Sequence, residues 1–413
     1  MHRFITRQPI LDRHEKVFGY ELLPRPGDDE FWPAVTSGPT EAEPFPGAPT
    51  SGGWEELTDG ARAFIKCTPE ALIGGLAAQL PRDQVVLSVQ ARRESNETVV
   101  KACQALKDAG FMIALENFDG TWEDPLAEIA KIIKMDIIAS TDRAQWLFIR
   151  KYQPLGTAFV AHKVETRTQF QTAIQQGYAY FQGQFFLRPA ATPAAEVTPT
   201  KLVYLLVLAA VTRPEIDVQE VANTIKHDLA LSYKLLRFLN SARFAFHTQI
   251  RSIRHALLLL GQNEIRKWIG LISVTSLGEG GPPILVSLAL VRAAFCESLA
   301  PLVGAAKRQS DYFFLGLLSS LDVLMRRPMR VILADLPIAP DVGAALGGEQ
   351  NTMRNVLQTV LSYEQGHWEE FSQLARKLEV REEKLSELYL QALRWSRELT
   401  RAGKDEPVAA KSA

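Results

Sequence analysis

DLALSYKLLRFLNSARFAFHTQIRSIRHALLLLGQNEIRKW, residues 228–268, is the most plainly ordered stretch of the chain. Asp228 suits the cap of a helix whose Leu231, Leu235, Phe238 and Leu239 recur on one face, and which ends near Asn240. Ser252 suits the cap of a second helix, with Ile253, Leu257 and Leu260 on one side. Gly261, tolerant of left-handed backbone, closes it. Asn263 opens a third, with Ile265, Trp268, Ile269 and Ile272 facing inward at helical spacing. Three capped helices on short connections predict a compact, all-helical core.

Downstream the pattern stays helical. A last helix over roughly 381–400 puts Leu385, Leu388, Tyr389, Ala392, Trp395 and Leu399 on one face, and residues 401–413 read as a frayed tail. Upstream the pattern changes. Residues 3–10 and 17–23 read as two extended segments about a turn. Seven prolines between Pro24 and Pro49, mixed with Gly, Ser and Thr, then predict a surface loop over 26–53. Beyond it, short apolar runs at 63–67, 85–89, 111–115, 132–138 and 157–160 alternate with helical segments at 69–80, 94–109, 125–130, 143–152 and 167–176. Strands apolar on both faces, separated by helices, predict a parallel sheet, and this many units in one domain predict a closed barrel. The Pro/Ala-rich run ahead of the helical half marks a linker at 191–199. The expected organisation is α/β plus all-α: a TIM-barrel-like domain over 1–190 and a helical domain over 200–400.

Composition narrows the function. Against 47 Asp and Glu stand 46 Lys and Arg in 413 residues, which argues against a general polyanion binder. Residues 228–268 alone are basic, with seven Lys or Arg against two acids. Spread through amphipathic helices, these read as a solvated face and not as a nucleic-acid surface. Cys67, Cys103 and Cys296 lack metal spacing and fit a reducing, cytoplasmic setting. The amino terminus is too charged for a signal peptide, and the apolar run 282–295 is interrupted by Arg292, so no membrane segment is expected.

Several ordered motifs carry a resemblance. LSYKLLRFLNSARF, SIRHALLLLG, NEIRKWI, FLGLLSSLDVLM (314–325), DLPIAPDVGAAL (335–346), YEQGHWEEF (363–371) and ELYLQALRW (387–395) resemble the HDOD domain, a helical module related to HD phosphohydrolases but without their metal site. RQPILD (7–12), GYELLPR (19–25), IIKMD (132–136), KVET (163–166) and YFQGQFFLRP (180–189) resemble the EAL domain, the barrel that hydrolyses cyclic di-GMP. The two together resemble an EAL-HDOD signalling protein of bacteria.

The resemblance implies phosphodiester hydrolysis assisted by two divalent ions, which needs a cluster of oxygen ligands. Glu21, Lys134, Glu165 and Gln182 match the family, as does Arg25, which would contact phosphate. Lys66 stands where the family has a metal-binding asparagine. Ser88 and Ala91 stand where it has acids, Glu116 and Asn117 replace paired aspartates, and His162 replaces another acid. The expectation is therefore a pseudoenzyme, with Glu21, Glu116, Lys134 and Glu165 as remnants of the site and no metal or other cofactor. Lys66 and Glu21 either form a buried ion pair that holds the mouth together, or Arg25, Lys66, Lys134 and Gln182 still accept the phosphates of cyclic di-GMP. Three functions stay open: a regulatory scaffold for a signalling protein partner, a non-hydrolysing cyclic di-GMP receptor, and an active phosphodiesterase. In the second half, His227 and Asp228 resemble a metal-binding pair, but Asp228 is read as a helix cap. Tyr233, Arg237, Asn240 and Ser241 are either buried polar groups or a contact surface.

Overall fold

The computed structural model describes residues 5–25, 53–91, 96–118, 124–139, 141–188, 199–213, 217–226, 232–233, 253–336 and 338–402. The proline-rich loop at 26–52, the linker up to 198, the tail from 403, the caps Asp228 and Ser252, and His227, Arg237, Asn240 and Ser241 lie outside the described residues. The chain divides into two compact units, the first built on Met1–Arg188 and the second on Pro189–Tyr363 and His367–Ala413.

The first unit is a closed barrel of eight strands in sequence order: β1 (Ile5–Asp12), β2 (Val17–Pro24), β3 (Arg62–Lys66), β4 (Val85–Gln90), β5 (Met112–Phe118), β6 (Ile132–Asp136), β7 (Ala158–His162) and β8 (Tyr180–Gln182). From β2 to β8 neighbouring strands are parallel, as the alternation with helices predicts. β1, the first of the two extended segments read about a turn, runs antiparallel to β2 and also to β8. The cause is the turn after Asp12, whose carboxylate accepts from the backbone N–H groups of His14 and Lys16 at 2.8 and 2.9 Å, while Glu15 takes φ +58°. So short a connection can join only antiparallel strands. β8, absent from the sequence expectation, is three residues long and too short to show a period of its own.

Helices α1 (Gly53–Thr58), α2 (Pro69–Ile73), α3 (Glu97–Asp108), α4 (Leu126–Ile129), α5 (Asp142–Tyr152) and α6 (Arg167–Gln176) connect the strands. The single helix expected over 69–80 ends at Ile73, because Gly74 and Gly75 follow and Gly75 takes φ +76°; a 3-10 turn then covers Ala77–Gln79. Capping holds the helix that meets the carboxyl end of β7. Thr166 and Gln169 form a reciprocal capping box at the start of α6.

Inside the barrel, Ile10, Phe64, Val86, Ala114, Ile132 and Val160 form one apolar layer. Gly19 belongs to the same level of β2. A Cβ there would sit 2.8 Å from both the Arg62 carbonyl oxygen and the Phe64 ring, so glycine makes room for that ring. Because side chains alternate across a strand, the residues two places further along point into the barrel again. They are polar: Lys66, Ser88, Glu116, Lys134, His162 and Gln182, with Glu21 from β2 and, from the reversed β1, Gln8.

The second unit is helical: α7 (Pro199–Thr212), α8 (Val218–Lys226), α9 (Ile253–Leu277), α10 (Pro283–Leu299), α11 (Gln309–Leu318), α12 (Leu321–Met325), α13 (Met329–Asp335), α14 (Pro340–Gly347), α15 (Thr352–Gln365), α16 (Trp368–Lys377) and α17 (Glu382–Ala402). Gly261, at φ +77° and ψ 165°, interrupts the helical backbone of α9 where the sequence places a helix end. Beyond it Ile265, Trp268, Ile269 and Ile272 are buried, and on α17 Leu385, Leu388, Tyr389, Ala392 and Leu399 are buried too. Trp268 stacks on Trp395 with ring centroids 6.2 Å apart, joining the two helices. The segment Pro283–Val303 is long and apolar enough by composition to cross a membrane, but 67% of it is buried within this unit. Arg292, in its middle, donates from Nη1 to the Ser320 hydroxyl at 2.7 Å.

α10 and α11 approach so closely that a Cβ on Gly316 would lie 2.2 Å from the Arg292 carbonyl oxygen. Backbone cannot move aside as a flexible side chain can. Gly316→Ala is expected to destabilise the second unit by about 3 kcal/mol, measured by urea unfolding; an unchanged midpoint would show that the two helices can separate at no cost.

Candidate functional site

The polar level of the barrel lies at the carboxyl ends of the parallel strands, the end at which barrels of this kind carry their sites. Its centre is Glu21, 2% exposed and carrying a charge away from water. Lys134 Nζ lies 2.6 Å from Glu21 Oε2, and the Gln182 amide donates to the same oxygen at 2.6 Å. Gln182 also donates to Gln8 Oε1 at 3.3 Å. Lys66 Nζ lies 3.4 Å from the other oxygen, Glu21 Oε1. Glu116 is held between the same two cations, with Oε2 at 3.9 Å from Lys66 and Oε1 at 3.7 Å from Lys134. Two carboxylates and two ammonium groups thus alternate around a ring, each carboxylate facing both lysines.

The backbone places Glu116 through an irregularity at the end of β5. Pairing with β6 shifts between Leu115 and Phe118, and Asn117 between them takes φ +55°, a conformation that Asn tolerates better than most residues. Ser88, opposite Lys66 in the ladder, is buried.

Burial opposes ionisation of both glutamates, with different outcomes. For Glu21 burial is outweighed by Lys134, Lys66 and the hydrogen bonds from Lys134 and Gln182, and the carboxyl is held well below the usual range. For Glu116, whose cations are more distant, burial wins and the carboxyl is pushed up. Lys66 is raised: burial lowers it, but Glu21 and Glu116 together outweigh that. His162, opposite Asp136 and Gln182 in the ladder, is pushed down to about 4 by burial and then by the Lys134 charge, so its imidazole is neutral at pH 7. The thiols of Cys67 and Cys103 are pushed up by burial to about 12 and about 11, which leaves them unreactive at neutral pH.

Of the residues singled out in the sequence, Glu21, Lys66, Glu116, Lys134 and Gln182 meet in this ring. Glu165 does not join it in any observed contact. Its backbone N–H donates to Gln169 Oε1 at 2.8 Å, and its carboxylate lies 3.7 Å from Arg188. Arg25 is the last residue described after β2. The ion pair of Lys66 with Glu21 exists, but the short, buried partner of Glu21 is Lys134, and the Lys66 side chain is 55% exposed. Sequence reasoning missed Gln8, whose signal was its place two residues before Ile10 in β1. In the second unit, Tyr233 is exposed, and the neighbouring Ser232 hydroxyl donates to the Ile225 carbonyl at 2.8 Å.

The metals implied by the resemblance were tested against this donor set. Among the described residues no three His, Cys, Asp or Glu side chains converge as a metal site. Both inward carboxylates already face ammonium groups. At an effective dielectric of about 20, a divalent ion ~4 Å from one ammonium would be repelled by about 8 kcal/mol. The residues present do not fit a two-ion centre.

Comparison with known proteins places this chain in a family. Residues 198–329 match the HDOD domain. The chain is 31% identical to the uncharacterized protein YuxH of Bacillus subtilis (strain 168), over 97% of this chain and 99% of YuxH. It is 30% identical to the cyclic di-GMP phosphodiesterase CdgJ of Vibrio cholerae serotype O1, over 96% of this chain and 93% of CdgJ. The chain belongs to the EAL-HDOD family. BlrP1 of Klebsiella pneumoniae, in a complex with calcium and cyclic di-GMP, aligns over 46% of this EAL-HDOD chain and 56% of its own at 20% identity, with a TM-score of 0.32 too low to bear on the site. One expectation is corrected here. The replaced ligand positions led to a pseudoenzyme, but CdgJ, an EAL-HDOD relative matched along nearly its whole length, is a phosphodiesterase. The physical reason is that the chemistry of the site rests on how Lys66 and Lys134 surround Glu21 and Glu116, which ligand positions taken singly do not report.

Two outcomes follow from the ring. Removing one member of a buried pair strands the other, so Lys134→Met is expected to cost about 3–5 kcal/mol. Adding Glu21→Gln should recover most of it, read as the coupling energy of a double-mutant cycle in urea unfolding. Independent effects of the two substitutions would refute the pairing. Stability should also fall as pH drops from 6.5 towards 4, because over that window the unfolded chain protonates His162 and the folded one does not. The full contribution is about 3 kcal/mol, and His162→Gln should flatten the pH dependence there.

Proposed function

We propose that this EAL-HDOD protein works in cyclic di-GMP signalling and takes the dinucleotide at the carboxyl-end mouth of its barrel. One observation carries the reading: two lysines, one buried and one reaching solvent, converge with Gln182 on Glu21 at the carboxyl ends of the barrel strands. A phosphodiester is an anion that offers only acceptors, and charge-assisted hydrogen bonds from ammonium groups are the strongest contacts a protein can give it. Lys66 meets the phosphate from the solvent side, Lys134 offsets the charge of Glu21 beneath it, and Arg25 is assigned a further phosphate contact at the end of β2.

Likeness to CdgJ makes hydrolysis of cyclic di-GMP the reaction to assign. Within the ring, Glu116 is the group suited to hold a proton, since burial pushes its carboxyl up. A water molecule would attack phosphorus and release its proton to solvent as the bond to the leaving oxygen breaks; Glu116 would give that oxygen its proton, and the lysines would offset the negative charge on the phosphate.

Titration calorimetry of cyclic di-GMP into the full chain, followed by chromatography of the recovered nucleotide, tests both levels. Saturable binding that Lys66→Glu abolishes is expected, together with a linear dinucleotide product that Glu116→Gln removes while binding persists. No binding, or binding indifferent to Lys66→Glu, would remove the proposal. Binding with the nucleotide recovered intact would remove only the reaction.

A further inference from the structure

Resting on the reading above, we propose that the Lys66 ammonium is a built-in cation standing where a divalent ion would otherwise sit, so that this mouth binds the phosphodiester of its ligand without metal. The geometry points to this in three ways.

The first is the order of the charges. Glu21 and Glu116 each turn one oxygen to Lys66 and the other to Lys134, at 3.4 and 2.6 Å for Glu21 and at 3.9 and 3.7 Å for Glu116. Two carboxylates bridging two cations is the arrangement of a two-ion centre, built here with ammonium groups. Oxygen–ammonium contacts of this length are ordinary ion pairs, longer than the roughly 2.0–2.6 Å of oxygen bound to magnesium or calcium.

The second is depth. Lys134 is 6% exposed and Lys66 55% exposed in their side chains. Lys134 is committed to Glu21 from below. Lys66 closes the ring from above, and its ammonium, with three donors, keeps directions that its two distant carboxylate contacts do not use. An anion entering the mouth meets Lys66 before any carboxylate.

The third is the state of the carboxylates. Glu21 Oε1 and Glu116 Oε1 are buried and make no hydrogen bond among the described residues, only the longer contacts to the ammonium groups. Burial pushes Glu116 up while Glu21 is held down, so the two do not hold Lys66 equally, and His162, neutral at pH 7, adds no charge of its own. Any shortfall in negative charge within the ring leaves the mouth positive on its solvent side.

The test is titration of cyclic di-GMP into the full chain, once in excess EDTA and once in magnesium, for the natural protein, Lys66→Asn and Lys66→Arg. Expected are equal affinities in the two buffers for the natural protein, and retention by Lys66→Arg, which keeps the charge. Lys66→Asn should lose about tenfold or more in EDTA, the scale of one charge-assisted contact, and recover in magnesium as an ion replaces the missing ammonium. Thermal unfolding of each variant separates a lost contact from a lost fold, and Lys66→Arg keeps the test decisive should Lys66→Asn fail to fold. Binding by the natural protein only in magnesium would overturn this inference and leave the cyclic di-GMP reading standing. Equal binding by Lys66→Asn and the natural protein in EDTA would do the same. No binding in either buffer would overturn both.

Discussion

The Glu21 carboxylate has to be neutralised inside the barrel, and the mouth of the barrel is arranged around that need. At 2% exposure the group has lost nearly all its water, a cost of several kcal/mol for an isolated charge. Three donors offset it, and each comes from a different strand: Lys134 on β6, Gln182 on β8 and Lys66 on β3. Glu21 and Lys134 are 113 residues apart in sequence, and Glu21 and Gln182 161 apart. Neither contact exists until the sheet has closed. The charge that is costly to bury therefore also ties register to closure, since a one-residue slip of any of these strands would turn its donor out of the barrel.

The helical unit meets the same difficulty with local acceptors. Arg292 is buried in the middle of α10 and finds the Ser320 hydroxyl at the start of α12. Arg266 is buried on α9 and donates to the carbonyls of Val211 and Arg213 at the end of α7, oxygens that a helix leaves without an internal partner. Both also feel a carboxylate charge, that of Asp322 for Arg292 and that of Asp311 for Arg266. A guanidinium can be satisfied by neutral oxygens because its five donors lie in a fixed plane, whereas the barrel's ammonium groups work as point charges and are matched with acids. The contrast separates a structural use of buried cations from a ring that still faces outward.

Much of the fold was legible in the sequence, because the barrel strands are short apolar runs and the helices between them carry their own caps. What was not legible has identifiable causes. The pairing of β1 with β8 closes the barrel between its first and last strands, which alternation with helices does not report. β8 is too short to show a period. The split of the helix after Ile73 depended on the left-handed backbone of Gly75. At the site, the residues Glu21, Lys66, Glu116, Lys134 and Gln182 were readable one by one. Their mutual distances were not, because the partner of Glu21 was chosen by the depth of each side chain along the barrel axis, which no spacing in the sequence encodes.

Depth also explains why two lysines on one level have different properties. Lys134 sits in the middle of β6, two residues past the apolar layer, and its side chain is packed in on every side by the neighbouring strands. Lys66 is the last residue of β3, at the same distance past the layer, but β3 ends there and the following backbone turns away through Cys67 to the cap at Thr68. The long stem of Lys66 therefore leans across the opening instead of being enclosed by it. On one level of the barrel, then, the same residue type is an enclosed counter-ion on β6 and an ammonium reaching solvent on β3.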